Sequence, residues 1–383
     1  MADPTQEIFR GLEGVLVATT KISKVDGLGG VLTYRGYDIH ELAAESTFEE
    51  TAWLLAEGEL PTPSQYAAMT RTLAAHLAMP DTVLEVLRQL PRTAHPMAIM
   101  RTAISAYGCT DTSAEEITVE AWKRVATRLV AQIGTIGAAA WRLSQGAEPI
   151  APDPSLGYAA NFLYMLHGKR PTEAAARILD IALICHADHG IPASTFSGMV
   201  VGSSLTDLYS AITAAIGSLK GPLHGGANER VLVDLDRIGS AANVPAYMRE
   251  VQSKKLKVMG LGHRVYKTWD PRAIIFKKIA ETRAAKDPDI ARTFATAVAL
   301  EKACLDAYAE KQLYPNVDYY SGIVYRSLGI DAKMFTPIFA ISRMAGWTAR
   351  LIEYLPNNRI FRPRGKYEGY DLRAYTPLAK RRI

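Results

Sequence analysis

Helix start and stop signals recur along this chain, and no regular alternation of strands and helices separates them. That pattern argues against a parallel sheet and for a mainly α protein. Ser46-Thr47-Phe48-Glu49 has the form of a capping box, opening a helix toward Leu55 that Gly58 and Pro61 stop. Thr62-Pro63-Ser64-Gln65 is a second, with proline at the first helical position and Tyr66, Met69, Leu73 and Leu77 along one face. An alanine-rich stretch from Thr118 to Leu143 predicts a long helix in which Gly134 and Gly137 suggest close packing, and the proline-rich run 149–154 is a rigid break. Further helices fit Pro171 to Gly190, Leu205 to Leu219, Asn228 to Ile238, Pro271 to Arg283, Ile290 to Glu310 and Thr336 to Leu355. The exception is Gly14 to Tyr37, rich in Val, Thr, Ile and Tyr around Asp26-Gly27, which reads as a small β-hairpin.

A length of 383 residues suits one large domain or two ordinary ones. With 48% hydrophobic and 22% charged residues the chain is globular rather than disordered. No apolar run reaches membrane-spanning length. Met1 to Arg10 lacks the basic start and apolar core of a signal peptide, so the expected compartment is the cytoplasm. Cys109, Cys185 and Cys304 lie far apart with no CxxC pair, against a disulfide framework or a structural zinc site. The net charge of +5 is spread along the chain, which suits anionic small molecules better than a nucleic-acid groove. Lys380-Arg381-Arg382 reads as a solvated tail. Phosphate-loop, HExxH and GxSxG motifs are absent, and Gly27-Leu28-Gly29-Gly30 opens no helix, so it is not a dinucleotide fingerprint.

Three strings have the composition of a site. Gly221-Pro222-Leu223-His224-Gly225-Gly226 sets a histidine among glycines just before a helix, where a ligand can approach closely and a neutral imidazole is favoured; a tight turn with an incidental histidine would look the same. Gly260-Leu261-Gly262-His263-Arg264-Val265-Tyr266-Lys267, with Asp270-Pro271-Arg272, suits a small dianion or phosphate; a basic loop facing solvent is the alternative. Asn316-Val317-Asp318-Tyr319-Tyr320 places a carboxylate among apolar and aromatic neighbours, where desolvation would make it a stronger base; a helix N-cap aspartate is the alternative. His186 and His189 are spaced for one helix face, yet no third metal ligand is evident, so hydrogen-bonding roles are expected. Arg359, Arg362 and Arg364 make a cationic loop.

Taken together, these segments resemble the citrate synthase family. The matching strings are His186-Ala187-Asp188-His189, GPLHGGANE from Gly221, GLGHRVYKTWDPR from Gly260, NVDYYSG from Asn316, SRMAGW from Ser342 and RPRG from Arg362, in the family's order, with the early string Tyr34-Arg35-Gly36-Tyr37-Asp38-Ile39. The likeness covers nearly the whole chain. It implies an all-α, two-domain helical fold with a small N-terminal hairpin: a large domain from 1–221 and 334–383, and a small one, 222–333, closing over the active site. Glycine clusters at 221–226 and 260–262 are plausible hinges. By motif position, His224 matches the histidine that holds the acetyl thioester oxygen, Asp318 the base, and His263 the histidine that polarises the oxaloacetate carbonyl. His189, Arg272 and Arg343 match oxaloacetate-binding groups, and Arg362 an arginine reaching in from the other subunit. Lys267, Lys311 and Arg264 fall where cations lie near CoA. The resemblance thus implies a homodimer acting on acetyl-CoA and oxaloacetate, with no metal or cofactor, no nucleic acid and no membrane. The short segment ahead of the first matching string suggests a dimer as the basic unit, without NADH regulation. Two alternatives remain: a 2-methylcitrate synthase using propionyl-CoA, since one methylene is worth only about 1–3 kcal/mol, and a non-catalytic sensor of CoA or organic acids.

Overall fold

The computed structural model of this chain describes residues 8–311 and 313–381. Most of the polar N-terminal stretch, residues 1–7, and Arg382 of the basic tail lie outside the described residues. A 3-10 turn at Arg10–Leu12 leads to three antiparallel strands, β1 (Ser23–Asp26), β2 (Val31–Tyr34) and β3 (Tyr37–Asp38), paired in that order. The register runs from Ser23 opposite Tyr34 to Asp26 opposite Val31, so the hairpin exists but is shorter than Gly14 to Tyr37. Asp26 Oδ1 accepts from the backbone N–H groups of Leu28 and Gly29 and fixes the turn.

The remaining regular structure is helical. The first helices are α1 (Ile39–Glu45), α2 (Phe48–Glu57), α3 (Pro63–Ala75), α4 (Asp81–Gln89), α5 (Pro96–Thr110), α6 (Val119–Ser144), α7 (Tyr158–His167) and α8 (Glu173–His186). There follow α9 (Ala193–Gly202), α10 (Leu208–Leu219), α11 (Ala227–Ile238), α12 (Val244–Ser253), α13 (Pro271–Ala284), α14 (Pro288–Ala307), α15 (Val317–Ser327) and α16 (Phe335–Tyr354). The Thr62 capping box forms with both halves in place. The earlier one is shifted by a residue: Thr47, not Ser46, caps α2 by accepting from Glu50 N, while Ser46 Oγ bonds the Glu50 side chain. Thr118 caps α6 as its sequence indicates.

The core centres on α16, buried at every position from Phe335 to Ile352. Most of its residues are apolar, and its polar ones find partners inside, Ser342 with Leu183 O and Arg350 with Asp188. It packs against α6, α2, α8, α9 and α10, and its Trp347 is 1% exposed. Helices α11 and α13 pack on α15, and α14 joins the same group. Among the described residues no helix is long and apolar enough to cross a membrane.

Candidate active site

Helix α8 stops sooner than its sequence suggests. It ends at His186, with Ala187 as its C-cap, so Asp188 and His189 lie beyond it and the two histidines do not share a helix face. His186 turns into the core between Phe276 and Phe339, donates from Nδ1 to Ala182 O at 2.8 Å, and is held neutral by burial, its pKa falling to about 3. His189 turns the other way, toward His263, with ring centroids 5.4 Å apart. Asp188 is buried between them and pairs with Arg350 at 2.7 Å. Among the described residues no cluster of His, Cys, Asp and Glu is arranged to hold a metal ion.

The strings around His263 and Asp318 are joined backbone to backbone. Gly262 N donates to Tyr314 O at 2.8 Å, and Asn316 N donates to Gly260 O at 2.9 Å. Asn316 Nδ2 adds a bond to Gly262 O at 3.0 Å. This close approach demands glycine: at Gly260, φ is +76° and a Cβ would meet Val231 Cγ2 at 2.7 Å and Tyr319 Cδ2 at 2.9 Å. Asn316, not Asp318, is the N-cap of α15, accepting from Asp318 N. Asp318 is therefore left over from capping, and its Oδ1 is buried with no partner among the described residues. Burial pushes its carboxyl up to about 7, against the pull of the Arg272 and Arg343 cations.

Burial favours the neutral form of both histidines of the glycine strings, and backbone partners assign the tautomer of His263. His263 Nδ1 accepts from Val265 N at 2.9 Å and from Tyr266 N at 3.1 Å, so its proton sits on Nε2 as a free donor. Burial, then the nearby Arg272, lowers its pKa to about 4. His224 Nε2 lies 2.7 Å from Ser194 Oγ, which itself accepts from Trp347 Nε1 at 3.3 Å. The hydroxyl has a proton to give to Nε2, and in that arrangement the His224 proton sits on Nδ1. Burial and Arg343 lower this pKa to about 4. His189 is also held well below its ordinary value, first by burial and then by Arg272, and its Nε2 meets Tyr266 Oη at 3.1 Å.

Two buried arginines serve the same place differently. Arg272 is held by Asp270 through bonds of 3.0 and 2.7 Å, and Asp270 also caps α13. Arg343 is 1% exposed, donates from Nε to His186 O, and pairs with no carboxylate among the described residues. Burial lowers its pKa to about 10. A buried cation without a paired carboxylate suits an anion. Arg264 and Lys267 are exposed beside His263; Lys311 is exposed, with Nζ 5.4 Å from the Tyr308 ring centroid. Arg362 is exposed in the C-terminal segment and forms no bond with this cluster.

The structure thus brings together His189, His263, Arg272, Arg343, His224 and Asp318 from segments far apart in sequence. It adds Ser194, Trp347, Tyr266 and Asp270, which the sequence reading did not single out as site residues. Asp270-Pro271 was visible as a helix start; Ser194 carried no signal, since its partner is reached only through the fold.

The comparisons agree along the whole chain. The family model "Citrate synthase, C-terminal domain" matches residues 11–364. A citrate synthase of Deinococcus radiodurans is 45% identical over 374 residues, covering 98% of this chain and 99% of that protein. The citrate synthase of Pyrobaculum aerophilum superposes with a TM-score of 0.92 at 43% identity, covering 100% of this chain and 97% of that one. That of Thermoplasma acidophilum, solved as a ternary complex with carboxymethyl coenzyme A and oxaloacetate, gives 0.95 at 38% identity over 98% of this chain and 100% of that one. The chain belongs to the citrate synthase family and is an acyl-transferring enzyme of that family.

Proposed function

We propose that this protein condenses acetyl-CoA with oxaloacetate and water to give citrate and CoA, the entry step of the tricarboxylic acid cycle, as a cytoplasmic homodimer. What carries the reading is one juxtaposition: two neutral imidazoles, that of His263 with its Nε2 proton fixed, a carboxyl poised near neutrality, and a buried arginine lacking a carboxylate. A thioester methyl is too weak an acid for a carboxylate alone. Asp318 removes the proton while His224 Nδ1–H holds the oxygen on which charge develops. The resulting carbon attacks the ketone of oxaloacetate, and His263 Nε2–H donates a hydrogen bond to the oxygen on which negative charge develops. Arg343, Arg272 and His189 hold the substrate carboxylates and fix the attacked face. Water then cleaves citryl-CoA, releasing citrate and the thiol.

Segment 222–333 serves as the small domain closing on 1–221 and 334–383, excluding water until condensation is complete. Lys267, Arg264 and Lys311 face the CoA phosphates. Arg362 completes the site of the other subunit. The complex of the Thermoplasma acidophilum relative with a CoA analogue and oxaloacetate supports this choice of substrates.

The test is thiol release from acetyl-CoA and from propionyl-CoA, each with and without oxaloacetate. Oxaloacetate-dependent release favouring acetyl-CoA is expected. A propionyl preference would make the protein a 2-methylcitrate synthase, and no release with either from folded protein would refute the catalytic reading.

A further inference from the structure

The β1–β2 hairpin takes no part in the chemistry above, yet it touches both histidines' surroundings. At its base, Ser23 Oγ donates to Asp188 Oδ2 at 2.6 Å and accepts from Gly190 N at 3.0 Å. Tyr34 Oη, in β2, donates to Asp188 O at 2.9 Å and is wholly buried. The residues on either side of His189 are therefore tied to the hairpin. At its tip, Gly27 O accepts from Lys267 N at 2.8 Å. The approach there leaves no room: a Cβ on Gly27 would meet Val265 O at 2.2 Å, and one on Gly30 would meet Thr268 Cγ2 at 2.9 Å. The loop so held carries His263 two residues before Val265 and Arg272 beyond it.

We propose that the hairpin is a positioning element for oxaloacetate, a spacer whose base fixes the His189 segment and whose glycine tip, through Gly27, seats the 263–269 loop opposite it. The proposal rests on the substrate reading above. A neighbour shift of a few tenths of an ångström or more at Val265 tilts the loop and changes the gap between His189 and His263. The Asp26 turn keeps the tip rigid enough to transmit the constraint. Gly27 and its neighbours are not catalytic residues; they act through the loop.

Gly27→Ala, compared with the parent and with Leu28→Ala at the exposed tip, tests this. Oxaloacetate binding is measured by calorimetry without any acyl-CoA, and exchange of the Lys267 amide is followed without any ligand. Expected for Gly27→Ala are faster Lys267 exchange and a Kd for oxaloacetate raised between about five- and a hundred-fold, with kcat at saturation nearly unchanged; Leu28→Ala should match the parent. Unchanged Kd or unchanged exchange in folded Gly27→Ala protein overturns the proposal, as does an equal loss in Leu28→Ala. Should Gly27→Ala fail to fold, Asp26→Ala, which removes the acceptor that fixes the tip, takes its place; unchanged Kd and unchanged Lys267 exchange in that protein overturn the proposal. Absence of oxaloacetate binding in the parent would instead refute the substrate reading, and the ligand-free exchange would still decide whether the tip holds the loop.

Discussion

Asp318 is the residue on which the rate should turn. Its carboxyl is pushed up to about 7 and must be ionised to accept a proton. Below that value the ionised fraction falls about ten-fold per pH unit. The value of kcat/KM should therefore climb with pH between 5 and 7 and level above it; a flat profile from 5 to 8 would remove Asp318 as the base. Asp318→Ala should lower turnover about 10²- to 10⁴-fold, with oxaloacetate affinity largely kept, read by thiol release and calorimetry. Ser194→Ala is a subtler case. Its hydroxyl is the partner of His224 Nε2, and the loss of that one hydrogen bond to the ring should lower turnover about ten-fold. Equal turnover in the Ser194→Ala protein would show that the ring is held otherwise. His224 and His263 stood out in the sequence as scarce histidines among glycines, and Asp318 as a carboxylate among aromatics, but only the family resemblance gave them roles. Ser194 was not, because a lone serine after Pro192 has no spacing that betrays a partner thirty positions on.

Caps made some helices legible but did not decide the matter: α11 and α16 lack a side-chain cap bond and were still readable, while the capped α1, α5 and α15 were not read. Thr62, Thr118 and Thr172 each accept from a backbone N–H of the helix they open, and all three helices were readable. Helices α4, α7, α9 and α12 have no side-chain cap bond, and each was missed. In α9 the run Ala-Ser-Thr-Phe-Ser-Gly-Met-Val-Val-Gly is also rich in weak helix formers, so packing on α10 must stabilise it. Packing likewise explains Gly346 in α16. A Cβ there would meet Ala187 O at 2.2 Å and Asp188 Oδ1 at 2.7 Å, so the end of α8 rests directly on this helix. Gly346→Ala should cost about 1–3 kcal/mol of stability in urea unfolding and weaken oxaloacetate binding through His189. Gly365→Ala, where a Cβ meets nothing within 4 Å, should leave both unchanged. A Gly346→Ala protein as stable as the parent would mean that α16 shifts freely, against its burial along its whole length.

Among the described residues, the C-terminal segment leaves a long apolar surface without a partner in its own chain. After the 3-10 turn Leu355–Asn357 the chain runs on with one further such turn, Leu378–Lys380, and exposed side chains nearly throughout. Ile360, Tyr367, Tyr370, Tyr375 and Leu378 are each more than half exposed. A single chain gains nothing by holding such an apolar ribbon in water. A second copy covering it would also explain why Arg362 lies in this ribbon and forms no bond with the site of its own chain. Mixed subunits decide the matter. Arg362→Ala and Asp318→Ala proteins should each be nearly inactive alone. In a two-fold dimer made of one of each, the site with native Asp318 receives native Arg362 from its neighbour, while the other site carries both lesions. Purified mixed dimers should therefore regain about half of the parent's specific activity. Were Arg362 to act in its own chain, every site would keep one lesion and mixing would restore nothing.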